Sequence, residues 1–134
     1  MKRVIINIDW VPNNFAASPQ NEDVACVATG KTLEEVETNI VDALAFHLEG
    51  MLENGETIPS EFKGEWKPIF KLTTRAQLKY TDNYISRKAL SRETGIAEQQ
   101  LSHYATGLKK PRAATQKKIL DGIQAISRQL AVIL

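Results

Sequence analysis

Positions 3–10, RVIINIDW, alternate in character. Val4, Ile6, Ile8 and Trp10 fall on one side of an extended chain, and Arg3, Asn7 and Asp9, with Ile5, fall on the other. A period of two predicts a strand with one buried face. Pro12, Asn13 and Asn14 then supply turn chemistry, because asparagine tolerates the left-handed backbone, and Phe15–Ser18 is expected to return as the second strand of a hairpin. Pro19–Asp23 reads as a polar turn, and Val24–Ala28 as a third short apolar strand ending at Gly30.

From Thr32 the period lengthens. Thr32 and Glu35 have the spacing of a capping box, in which side chains satisfy the first free amides of a helix. Leu33, Val36, Ile40, Leu44, His47, Leu48 and Met51 then recur every three or four residues, so they line one face. Glu34, Glu37, Thr38, Asp42 and Glu49 point away from it. Glu53-Asn54-Gly55 supplies the stop, with Gly55 suited to the left-handed cap position. Ile58-Pro59-Ser60 leaves in extended conformation, and Trp66–Leu72 predicts a last strand that Pro68 confines to a sheet edge or a bulge.

Beyond Thr74 the pattern is helical throughout, with helices expected over 74–80, 86–94, 97–105 and 113–133. The expected organisation is therefore α+β: a domain over 1–62, a linker or edge strand over 63–73, and an all-α domain over 74–134. No internal repeat or low-complexity tract interrupts it.

Charge sharpens this division. The chain of 134 residues has a formal net charge of +1, yet residues 1–62 carry three basic residues against eleven acidic, and residues 63–134 carry fourteen against five. An acidic half is joined to a basic half, which makes nucleic acid a plausible partner for the second and a basic partner plausible for the first; the alternative on charge alone is that both are solvated faces. A 43% apolar, 25% charged composition is that of a globular protein. It excludes collagen, coiled-coil and disordered classes. One cysteine, Cys26, cannot form an internal disulfide. The first ten residues lack the apolar block of a signal peptide, and no stretch approaches the roughly 18 apolar residues needed to cross a bilayer. A cytoplasmic protein is expected.

The stretch 86–106, SRKALSRETGIAEQQLSHYAT, describes two short helices joined by a tight turn at Gly95. Ala89 and Leu90 in the first, Ile96 in the turn, and Leu101, Tyr104 and Ala105 in the second are placed to pack the helices at a steep angle. That leaves the polar side of the second helix free for a major groove. Glu98, Gln99, Gln100, Ser102, His103 and Thr106 occupy that side. Glutamine pairs bidentately with adenine, so Gln99 and Gln100 are the leading base readers, with Glu98 and His103 beside them. Ser86, Arg87 and Lys88 before this helix, and Lys109, Lys110 and Arg112 after it, are candidate phosphate contacts that set position. The stretch resembles the DNA-binding module of lambda-repressor-type regulators at Ser86, Leu90, Thr94-Gly95, Leu101-Ser102, Gly107 and Pro111.

Gly30-Lys31-Thr32-Leu33-Glu34-Glu35-Val36, with Asn39, Ala43-Leu44, Glu53-Asn54-Gly55-Glu56 and Ile58-Pro59-Ser60, resembles the HicB family of antitoxins over roughly residues 2–60. Asn13-Asn14-Phe15 departs from that family's usual Gly-Gly-Tyr. The resemblance implies a partial RNase H-like β-β-β-α(-β) domain that occludes a small basic HicA-like toxin, itself an mRNA-cleaving enzyme. It also implies a C-terminal helix-turn-helix domain that binds double-stranded operator DNA and represses the protein's own operon. The chain is then not an enzyme, and no cofactor, metal or catalytic residue is expected. A free-standing helix-turn-helix regulator without a toxin is the alternative. A nuclease of RNase H type would need carboxylates clustered around metal, and Asp9, Glu49 and Glu53 are its only candidates.

His47 and Cys26 are expected as core residues, and Trp10 and Trp66 as core or interface anchors. At the C-terminus Ile119, Ile123, Ile126, Leu130 and Ile133 form a stripe spaced four, three, four and three. Such a stripe either folds back on the helical domain or forms part of a seam in a homo-oligomer, a dimer or tetramer reading paired half-sites.

Overall fold

The structure is a computed structural model that describes residues 1–133; residue 134, the last of the expected 74–134 domain, lies outside the described residues. Among the described residues the chain is α+β, with one four-stranded mixed sheet and five α-helices. It divides into two compact units, Met1–Thr73 and Thr74 onward. The first carries six basic and twelve acidic residues, the second eleven and four.

In the first unit, strand β1 (Lys2–Val11) turns at Pro12 and Asn13 into β2 (Asn14–Pro19). Asn13 takes a positive φ of 76°, the left-handed conformation that asparagine accepts. The antiparallel pairing runs from Ile6 opposite Pro19 to Val11 opposite Asn14. It places Val4, Ile6 and Ile8 of β1 and Phe15 and Ala17 of β2 inside. The third strand is displaced from its expected place: β3 is Ala28–Gly30, while Val24 to Val27 form an irregular approach. Only Val24 of that approach is buried, and Val27 is 69% exposed. The apolar run anchors a loop instead of pairing, so Cys26 lies in the loop, half-buried. A Cβ on Gly30 would meet the Val36 backbone nitrogen at 2.6 Å, so the absence of a side chain there lets the next helix start against the strand.

That helix, α1 (Leu33–Glu53), begins at Thr32, whose hydroxyl accepts from the Glu35 amide at 3.1 Å. Val36, Ile40, Leu44 and Leu48 are its buried stripe, with Leu33, His47 and Met51 half-buried beside them. It packs on β2 and β3. After a 3₁₀ turn at Ser60–Phe62, β4 (Trp66–Leu72) joins the sheet parallel to β1, giving the order β3-β2-β1-β4. β4 is an edge strand, as Pro68 requires, and α1 links β3 on one edge to β4 on the other. The Phe62 and Trp66 rings meet edge to face at 5.5 Å, as do Trp10 and Phe15 at 4.9 Å.

The second unit is helical. Its elements are α2 (Thr74–Thr81), α3 (Arg87–Thr94), α4 (Glu98–Thr106) and α5 (Ala113–Ala131). Leu78, Leu90, Leu101, Tyr104 and Ile119 form one core drawn from all four helices. Ile123 and Ile126 pack against that core, whereas Leu130 is 53% and Ile133 80% exposed. The first half of the C-terminal stripe therefore folds back on the helices, and its end stands clear of them.

Candidate nucleic-acid interface

Local chemistry sets α3 and α4 against each other. Ser86 caps α3 by accepting from the Ala89 amide at 3.0 Å. The helix closes at Gly95, where φ is +74° and the amide donates to the Ser91 carbonyl at 2.8 Å. A left-handed residue is needed to turn the chain here, and glycine adopts that conformation without a Cβ penalty. Thr94 reinforces the corner: its hydroxyl donates to the Leu90 carbonyl at 2.8 Å and accepts from the Ile96 amide at 3.2 Å. With Leu90 and Leu101 fully buried on the inner side, the outer side of α4 is left to polar residues.

The expected base readers differ in their freedom. Glu98 and Gln99, in the first turn of α4, are exposed. Gln100 is half-buried and its side-chain amide donates to the Tyr104 hydroxyl at 2.8 Å. His103 is also half-buried, and its Nδ1 is enclosed without a hydrogen-bond partner among the described residues. Thr106 is exposed and its hydroxyl donates to the His103 carbonyl at 3.3 Å. Gln99 and Glu98 are the side chains the fold leaves most open.

The flanking cations also divide. Lys88, Lys109, Lys110 and Arg112 are exposed, as is Ser86. Arg87 is engaged elsewhere: it forks onto Asp82, with Nε and one terminal nitrogen each 2.8 Å from a carboxylate oxygen, and its other terminal nitrogen reaches the Ser102 hydroxyl at 3.3 Å. Only 21% of the Arg87 side chain is accessible. It ties the start of α3 to the middle of α4. Arg75, absent from the expected contacts, lies against the backbone after α4, where a Cβ at Gly107 would stand 2.6 Å from its guanidinium. Sequence position hid that placement, because Arg75 lies well before the basic flanks of α4, and only the packing of α2 on α4 brings it to the loop.

The nuclease candidates do not assemble into a metal centre. The Asp9 carboxylate accepts from the Thr73 hydroxyl at 2.7 Å and from the Trp10 amide at 2.8 Å, while Glu49 and Glu53 lie exposed late on α1. Among the described residues no group of three or more His, Cys, Asp or Glu side chains is placed to hold a metal ion. No helix among them is long and apolar enough to cross a membrane. Burial pushes the Cys26 thiol above its ordinary pKa. Compared with family models, curated proteins and solved structures, the chain matches none.

Proposed function

We propose that this chain is a HicB-like antitoxin and autorepressor. The second unit is a helix-turn-helix domain that binds operator DNA through α4, and the first is a partial RNase H-like domain that neutralises a small basic HicA-like toxin. The observation that carries the reading is the exposed first turn of α4, Glu98 and Gln99, held out from a closed helical core and bracketed by exposed Lys88, Lys109, Lys110 and Arg112. Side chains near the start of such a helix reach base edges, and flanking cations meet phosphates. The β-β-β-α-β order of the first unit supports the RNase H-like assignment, and its acidic excess supports a basic protein partner. Paired copies, a dimer or tetramer, would present two such helices to adjacent half-sites, with the exposed Leu130 and Ile133 as part of their seam. The protein works in the cytoplasm, without a cofactor and without catalysis of its own.

The test is fluorescence anisotropy of the full chain on a labelled duplex from upstream of its own gene and on a scrambled duplex of equal length, across a salt titration. Tighter binding to the first, with both weakening linearly on a log–log salt plot, is expected. Equal affinity for the two duplexes at every salt concentration overturns the operator reading.

A further inference from the structure

The outward face of α1 carries features that do nothing for the helix itself. Phe46 is 81% exposed. Asp42 and Glu49 lie one turn to either side of it and Glu53 one turn further, all exposed, because residues three and four apart share a helix face. Gly50 sits one turn on from Phe46, and a Cβ there would meet nothing within 4 Å, so a better helix former would fit without strain. Glu49 and Glu53 stand at the C-terminal end, where the helix dipole is negative and cations are preferred, yet the last turn has no basic residue. The whole of Leu33–Glu53 contains six carboxylates and neither lysine nor arginine. An exposed aromatic, a glycine one turn on whose Cβ position is open, and misplaced carboxylates thus coincide within three turns.

We infer that this face, centred on Phe46 with Gly50 beside it and Asp42, Glu49 and Glu53 around it, is the docking surface for the basic toxin, and that it takes an arginine of that partner. The inference rests on the antitoxin reading and adds where the toxin sits. A guanidinium stacks on an aromatic face and pairs bidentately with carboxylates, which an ammonium cannot do. A buried aromatic anchor with a charged rim is the usual anatomy of a binding hot spot. Charge complementarity selects a basic protein over a second acidic unit of this chain.

The experiment places the photoreactive p-benzoylphenylalanine at position 46 of the tagged full-length chain in its own cell. Proteins that co-purify, and the adducts formed on illumination, are then identified by mass spectrometry. One adduct to a small protein rich in lysine and arginine is expected. Asp42→Lys and Glu49→Lys are each expected to lower it at least tenfold, while Glu49→Lys raises the melting temperature by relieving the dipole. With the co-purified partner isolated, Phe46→Ala is expected to weaken its binding at least tenfold and leave DNA binding intact. A basic partner whose binding ignores all three substitutions overturns the docking face and spares the antitoxin reading. An adduct only to a second copy of this chain overturns the proposed occupant. Absence of any stoichiometric basic partner overturns both the face and the antitoxin reading.

Discussion

The close approach of α3 and α5 at Gly122 offers a prediction whose sign is decided by geometry. Gly122 is buried in the middle of α5, where alanine would ordinarily stabilise by about 1 kcal/mol through helix propensity. Here a Cβ would collide with Cγ2 of Thr94 and touch Cδ1 of Leu90 at 3.4 Å. Thr94 cannot swing aside freely, because its hydroxyl is held by the Leu90 carbonyl at 2.8 Å and the Ile96 amide at 3.2 Å. Turning it away breaks bonds worth roughly 0.5–1.5 kcal/mol each, and leaving it in place forces the helices apart at about 1–3 kcal/mol. Gly122→Ala is therefore expected to give the second unit no gain and to destabilise it by up to about 2 kcal/mol net. A unit of this size loses about 4–8 °C of melting temperature per kcal/mol.

Circular dichroism reads the helical transition. Trp10 and Trp66 both belong to the first unit, so tryptophan fluorescence checks that its own transition stays put. Thr94→Ser removes Cγ2 and keeps the hydroxyl. Adding Gly122→Ala to that background is expected to be neutral or stabilising, a coupling of about 1–2 kcal/mol in a double-mutant cycle. A stabilised Gly122→Ala single variant, or a penalty unchanged by Thr94→Ser, refutes the packing argument.

Other expectations follow from the same structure. Gln99→Ala should lower discrimination between operator and scrambled DNA by about 1–3 kcal/mol, whereas Lys109→Ala should weaken both and reduce the salt slope by about one. Equal effects in the anisotropy titration would remove α4 from the reading role. Arg87→Lys keeps the charge but loses the fork onto Asp82, so thermal melts should show about 1 kcal/mol lost. If Arg87 were instead a simple phosphate contact, the lysine variant would melt like the parent. Thr32→Ala removes the cap of α1 and should cost about 1 kcal/mol, read by tryptophan fluorescence in urea. Cys26, with its thiol pKa raised by burial, holds its proton at pH 8, and iodoacetamide should label it more slowly than free cysteine, speeding up as the pH rises. Labelling at the free-cysteine rate would mean the loop before β3 does not shield it.

Periodicity alone located most elements, because it reports which face of a segment must leave water. The alternation at Val4, Ile6 and Ile8 and the stripe from Val36 to Leu48 are intramolecular statements, and burial follows them residue by residue. Gly95 and the Ser86 and Thr32 caps are equally local, since each satisfies backbone groups within four residues of itself. The third strand departs from its expected place for the opposite reason: Val24–Ala28 is apolar enough to be a strand, but pairing depends on what the free edge of β2 offers, and that edge takes only Ala28–Gly30.

The same limit governs the candidate site. Sequence spacing identified the polar side of α4 and the basic flanks, and it determined that the chain joins an acidic half to a basic one. It could not separate Gln99, open to solvent, from Gln100, bound to Tyr104, nor Arg87, locked on Asp82 and Ser102, from Lys88. Arg75 reaches Gly107 from the far end of the helical unit's sequence, with two helices intervening. Helical and strand periods are properties of neighbouring residues and are written locally. Which polar side chains remain free depends on partners that only tertiary packing brings within hydrogen-bonding distance.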